Sequence, residues 1–238
     1  MVKQAMRREA AEVWSLRTRV EYEAARRFAR LAAAVEEFDP ESPIPPLLRS
    51  AAEDERRHAA LCREICAAYG GAPPDSGADS RVAPHDLAVR DAVLYEMVAA
   101  CCITETESVA TVTTLLLGSL EPNVEKVLRE IARDEVAHGR MGWAHLAREA
   151  SLRDVRFLSR WIPSMLTGSV DDALFSPAGP PDDSLLPHGV FPLARKREVF
   201  IKTLEEVVLP GLEKFGIEVQ PARAWIADRL KASLRTRG

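Results

Sequence analysis

One short motif occurs twice in this chain: Asp54-Glu55-Arg56-Arg57-His58 and Asp134-Glu135-Val136-Ala137-His138. On a helix, residues three apart leave the axis on the same side. Each copy therefore aims one carboxylate and one imidazole at a common point, with an aspartate beside the glutamate. A further glutamate stands one helix upstream of each copy, with Glu21 34 residues before Glu55 and Glu105 30 residues before Glu135. Four helices bearing Glu, Glu-x-x-His, Glu and Glu-x-x-His make the ligand set with which a bundle holds two metal ions. A chain with this repeat is constrained to an all-α fold that brings the four segments together.

The rest of the sequence is consistent with that constraint. The spacing predicts a first helix over Gln4–Glu37, a Pro-rich turn (Pro40, Pro43, Pro45, Pro46) and a second helix to Tyr69, closed by Gly70-Gly71. Residues 70–85 form a Gly/Pro/Ser-rich crossover too long for a tight hairpin. A third helix is expected over Asp86–Gly118. Glu121-Pro122-Asn123 then turns the chain into a fourth, which runs to Ser151. Glu105 lies 17 residues before Pro122 and Glu135 lies 13 after it, so helix rise sets both at similar heights on antiparallel neighbours. Beyond the bundle (1–151), residues 152–238 read as a C-terminal helical extension able to close over one bundle end as a lid. It comprises a helix at 152–168, a Pro-rich loop at 169–192, and helices near 193–215 and 221–236. No strand alternation stands out.

The upstream ligands follow from helix phase. Trp14, Glu21, Phe28 and Val35 form one ladder, whereas Glu23 falls among Arg19, Arg26, Arg27 and Arg30, so Glu21 is the carboxylate on the apolar stripe. On the third helix, Val98, Glu105 and Val112 share a ladder beside Cys101, Cys102 and Val109. Glu96 and Glu107 lie about half a turn away. A glutamate buried among apolar residues needs a cation to stay ionised. Four carboxylates and two imidazoles are hard oxygen and neutral nitrogen donors, which suit iron or manganese better than a thiolate-selecting metal. Asp54 and Asp134 are expected to accept the outer N–H of a ligand histidine and fix its tautomer.

Other residues carry less. His145 is seven positions beyond His138, about 10 Å along the axis, which suits a hydrogen-bonding role at the core or pocket edge rather than ligation. His85 and His188 fall in loops and are expected at the surface. Cys62 shares the face of Glu55 and His58, and Cys101 and Cys102 precede Glu105 by one turn. These cysteines are expected to line the pocket as small hydrophobes. The arginines of the first helix (Arg17, Arg19, Arg26, Arg27, Arg30) read as a solvated or subunit-facing surface.

Composition closes off several classes. A net charge of -4 gives no general attraction to nucleic acid or anionic membrane. The N-terminus has no signal-peptide pattern, and no apolar run approaches 18 residues. Four cysteines without CxxC spacing resemble neither a disulfide scaffold nor a zinc or rubredoxin site. A reduced, cytoplasmic setting is expected.

On these motifs the chain resembles the ferritin-like diiron-carboxylate superfamily over residues 14 to about 150. The paired DExxH form, the Glu21–Phe28 segment and Ile103-Thr104-Glu105-Thr106 look most like the compact bacterial ferritin-like proteins. The resemblance implies a four-helix bundle holding two iron ions, with manganese or a mixed pair as the other option. It carries the ligand roles to Glu21, Glu55, His58, Glu105, Glu135 and His138, with Glu55 and Glu135 as bridging carboxylates.

It also implies O2 chemistry on a small organic substrate, by hydroxylation, N-oxygenation or oxidation, with electrons from a reductase. A ferroxidase or peroxide scavenger and a tRNA-modifying hydroxylase are the alternative branches, and a non-enzymatic helical scaffold comes last. Cys62 stands where radical-generating reductase subunits carry tyrosine, which argues against stable radical storage there. The absence of a four-cysteine iron domain argues against rubrerythrins, and the long extension against a storage cage. Dimerisation through a bundle face fits this class; a membrane partner is not expected.

Overall fold

The computed structural model describes residues 4–79, 81–170, 172–176 and 183–235. All regular structure among them is helical. The helices are α1 (Gln4–Phe38), α2 (Ile44–Ala68), α3 (Val89–Met97), α4 (Glu105–Leu116), α5 (Pro122–Leu152), α6 (Ile162–Ser169), α7 (Leu193–Thr203), α8 (Leu209–Glu213) and α9 (Gln220–Arg235). Two π-helical segments, Val98–Thr104 and Leu204–Val208, join α3 to α4 and α7 to α8. By internal contacts the chain forms two units, each assembled from separated stretches.

The first unit comprises residues 1–82, 112–137 and 183–191. Its frame is the antiparallel α1–α2 hairpin. Buried α1 positions Ala10, Trp14, Thr18, Ala25, Phe28, Leu31, Ala32 and Val35 recur at helical spacing, and α1 packs along α2. The hairpin is fastened near its open end, where Cys66 Sγ donates to the Ala11 carbonyl at 3.3 Å and Arg7 donates to that of Ala68 at 2.6 Å. Pro45 and Pro46 occupy the first turn of α2, where their missing N–H groups cost nothing. Gly70, at φ 88°, carries the chain out of α2 through the left-handed region. Trp14, Cys62, Ile65, Cys66, Val112, Leu115, Val124, Leu128 and Ile131 form its apolar core.

The second unit comprises residues 83–111, 138–182 and 192–238. Leu94, Val98, Cys102 and Ile103 join Leu146 of α5 and Leu158, Ile162, Phe200, Leu204, Leu209, Leu212 and Ile226 of the C-terminal stretch in one core. The C-terminal helices are therefore integral to this unit. Phe175 sets its ring edge-on against Phe200 and Trp225. Glu149, fully buried, accepts from both nitrogens of the Arg90 fork at 2.8–3.2 Å and from Arg153, which also pairs with Asp91.

Three expectations need correction. The third helix is not a single α-helix from Asp86. It begins at Val89 and passes through the Val98–Thr104 π segment, where Thr104 Oγ1 donates to the Ala99 carbonyl at 3.0 Å. His188 is buried, because Tyr69 and Trp14 draw its imidazole and carbonyl inward. The expected 169–192 loop contains short 3₁₀ turns at Asp172–Phe175 and Asp183–His188; its residues 171 and 177–182 lie outside the described residues. Ser80, within the 70–85 crossover, and residue 236, at the expected end of the last helix, also lie outside them.

Candidate metal centre

In the first unit, Glu21 of α1, Glu55 and His58 of α2 and Glu135 of α5 converge. Each offers one donor atom to a set whose members all lie within 4.8 Å of one another. Glu55 and His58 face inward together because they are three residues apart on a buried stripe that also carries Ala51, Ala59 and Cys62. Glu55, His58 and Glu135 are at most 2% exposed, and the Glu21 side chain is 13% exposed. Glu23, by contrast, pairs with Arg19 on the outer side of α1.

The geometry distinguishes the two nitrogens of His58. Nδ1 lies 3.4 Å from Glu55 Oε2 and 3.9 Å from Glu21 Oε2, so it faces the carboxylates. Nε2 lies 3.1 Å from Asp134 Oδ2. Asp134 thus accepts the outer N–H and leaves the Nδ1 lone pair aimed at the cluster. The aspartate of the second motif orients the histidine of the first. Asp54 accepts from Arg57 at 2.8 Å.

Arg57 is the residue that sequence reasoning missed. It donates to Asp54, to Glu130 at 2.9 Å and to Asp134, tying α2 to α5 beside His58. Its signal was present in the motif: Arg57 follows Asp54 by three residues, and the second copy carries Ala137 at that place. Burial would raise the Asp134 carboxyl, but hydrogen bonds from Arg133, His58 and Arg57 outweigh it and hold the group at about 2. It is therefore a fixed anionic acceptor near neutral pH.

Inside the cluster the shifts run the other way. Burial, then the neighbouring Glu55 carboxylate, pushes Glu21 well above the ordinary carboxylate range. Burial raises the Cys62 thiol to about 12, with Arg17 opposing and Glu55 and Glu135 adding to the rise. Cys62 is thus a neutral thiol against the acidic group. Burial alone would lower His58, but Glu55 reverses this and the net shift is upward. Carboxylates this close raise one another's affinity for protons and, by the same field, for a divalent cation. Three carboxylate oxygens with one oriented imidazole are the hard mixed donor set that iron or manganese takes.

The remaining expected residues belong to the second unit. Glu105 opens α4 directly after the π segment, and His138 lies one turn beyond Glu135 on α5; both are buried. Cys101 packs against Gly142, and Cys102 sits in the apolar core of this unit, where burial raises its thiol pKa. His145 and Glu96 are buried, and His85 is exposed. Arg17 departs from the solvated face expected for the α1 arginines. Its guanidinium lies 4.7 Å over the Trp14 ring and donates to the Gly189 carbonyl.

Comparison with known proteins agrees with this donor set. No curated protein matches the chain. A family model described as Rubrerythrin matches residues 16–145, a span that runs from Glu21 past His138. This match corrects the expectation, drawn above from the cysteines, that rubrerythrins are disfavoured. No helix among the described residues is long and apolar enough to cross a membrane. On more than half of its length, all of it helical where regular, the chain belongs to the rubrerythrin family, a ferritin-like diiron-carboxylate family.

Proposed function

We infer that the protein is a non-haem diiron oxidase or oxygenase that uses O2 to oxidise a small organic substrate, by hydroxylation or N-oxygenation. The observation that carries this reading is the buried convergence of Glu21, Glu55, His58 and Glu135, with His58 turned by Asp134 so that Nδ1 faces the carboxylates. Glu105 and His138 are proposed to complete the ligand set, supported by their burial and by the i, i+3 relation of Glu135 and His138. When bound, the iron pair supplies two-electron redox chemistry toward O2.

The protein's own contribution is positional. Asp134 and Arg57 fix the His58 tautomer, and the buried wall of Cys62, Ile65 and Trp14 keeps bulk water from one side of the cluster. Within the second unit, α6 and the Leu204–Val208 segment pack on Val98–Thr104, the stretch that leads into Glu105. In this reading the C-terminal stretch holds in place the segment that leads into Glu105.

Anaerobic loading with Fe(II), elemental analysis and O2 uptake test the reading. Two irons per chain and O2 consumption coupled to oxidation of an added organic substrate are expected, and both are lost in Glu55→Ala and His58→Ala. Iron uptake with O2 consumed only in oxidising further Fe(II) would identify a ferroxidase instead. Unchanged iron content in both variants would overturn the site.

A further inference from the structure

A line of oxidisable side chains leads from the acidic cluster to the surface of the first unit. Trp14 lies on the α1 stripe seven residues before Glu21, about 10 Å of helix rise away, and is fully buried in the core that contains Cys62. Its Nε1–H donates to the His188 carbonyl at 2.9 Å. The His188 imidazole stands edge-on to Tyr69, with ring centroids 5.5 Å apart, and its Nδ1 is 2.8 Å from the phenol oxygen. Tyr69 reaches a surface groove of about 980 Å³ lined by Arg7, Arg8, Glu12 and Gly71. Burial raises the Tyr69 phenol above its ordinary value, so the phenol keeps its proton beside His188 Nδ1.

We propose that Trp14, His188 and Tyr69 form a one-electron relay that connects the iron-binding cluster to the α1–α2 groove and ends on Tyr69. The proposal rests on the diiron reading and adds a path by which oxidising equivalents leave the centre when no organic substrate consumes them. One electron leaves the Tyr69 phenol, passes by way of the Trp14 indole and reduces an oxidised iron pair by one electron. The phenolic proton crosses to His188 Nδ1. The products are a neutral tyrosyl radical and an imidazolium. A one-electron reductant in the groove refills Tyr69, and the proton returns from His188.

The surroundings set the direction. The Arg17 guanidinium 4.7 Å over Trp14 disfavours a positive charge on the indole, and a backbone carbonyl is too weak a base to take the indole proton. Trp14 is therefore a stepping stone. Tyr69 has an imidazole to receive its proton and is the place where the hole rests. Cys62, held as a thiol by its high pKa, is not an equivalent station. A purely structural role, pinning residues 183–191 onto the hairpin, would use the same hydrogen bonds but would yield no radical.

The test is freeze-quench electron paramagnetic resonance of the iron-loaded protein after an O2 pulse without organic substrate. A tyrosyl signal is expected, reduced at least ten-fold in Tyr69→Phe and formed more slowly in Trp14→Phe, with iron content unchanged in Tyr69→Phe. A signal of equal size in Tyr69→Phe, or no protein radical while iron is bound and O2 consumed, overturns the relay. A parallel arm uses metal-free protein with a flash-generated ruthenium(III) oxidant. There the relay predicts radical at Tyr69 in preference to Tyr22 and Tyr95, and equal oxidation of all three refutes it. Because that arm needs no iron, it fails independently of the diiron reading, which elemental analysis decides.

Discussion

Replacing Gly142 with alanine probes the packing that carries the α3–α4 rod past α5. A Cβ at this position would lie 2.2 Å from Cys101 Cβ and 3.1 Å from the Cys101 carbonyl carbon. Carbon atoms settle at about 3.5 Å or more, so the new methyl is about 1.3 Å too close to the nearest atom. Neither neighbour is the free end of a flexible side chain, so the helix backbones must separate. Overpacking of this kind costs about 1–3 kcal/mol. The gain from replacing glycine by alanine in a helix interior, about 1 kcal/mol, offsets part of it. The upper end of the range applies here, which leaves a net loss of about 2 kcal/mol. For a chain of this size that is roughly 4–8 °C in Tm. Gly139→Ala is the control, since its nearest neighbours are the Cys101 carbonyl oxygen at 3.7 Å and Thr106 Oγ1 at 3.9 Å. It should be neutral or raise Tm by about 2–4 °C. Urea denaturation and calorimetry of both variants decide the matter. A Gly142→Ala protein within about 0.5 kcal/mol of wild type, or a Gly139→Ala protein equally damaged, would refute the reasoning.

Further predictions concern charge. Glu21 is held above the ordinary carboxylate range by burial and Glu55, so a metal must displace its proton. Co(II) affinity, followed by absorbance, should fall as pH drops toward 5, with protons released to a pH indicator on binding. Asp134→Asn should weaken Co(II) binding about 10–100-fold with the helical circular dichroism unchanged, because a neutral amide replaces the carboxylate that orients His58. Burial opposes but does not overcome the Arg90 and Arg153 hydrogen bonds that lower the Glu149 pKa. A lowered carboxylate contributes stability above its unfolded pKa of about 4.3 and loses it as pH falls toward the folded value. Glu149→Gln should therefore cost about 2 kcal/mol at pH 7, discounted for the partly exposed arginines, and show a shallower loss of stability below pH 4. Equal acid limbs in urea titrations would count against this account.

What the sequence could reveal depended on whether local phase decides the outcome. Glu21 was separable from Glu23 because an apolar ladder of period seven runs through one and a row of arginines through the other, and only Glu21 joins the cluster. Glu55 and His58 needed nothing beyond their spacing. Other features depend on partners distant in the chain. Tyr69 and Trp14 bury His188 from 119 and 174 residues away, against the tendency of a Pro-rich stretch to lie at the surface. Arg57 looked like one more surface charge until Glu130 and Asp134 met it. The division into two units was hidden because both interleave along the chain and α5 contributes to each.

The wide turn at Val98–Thr104 has a bearing on how this chain can vary. An i→i+5 loop of backbone holds one residue more than the i→i+4 loop it replaces. Losing one residue within it would restore an ordinary turn while the flanking helices kept their azimuths. The same loss within α3 would swing Glu105 by about 100° about the axis. The stretch that holds the two adjoining cysteines is thus a vernier of the rod, the interval where a codon could be dropped and the acid downstream would still point the same way.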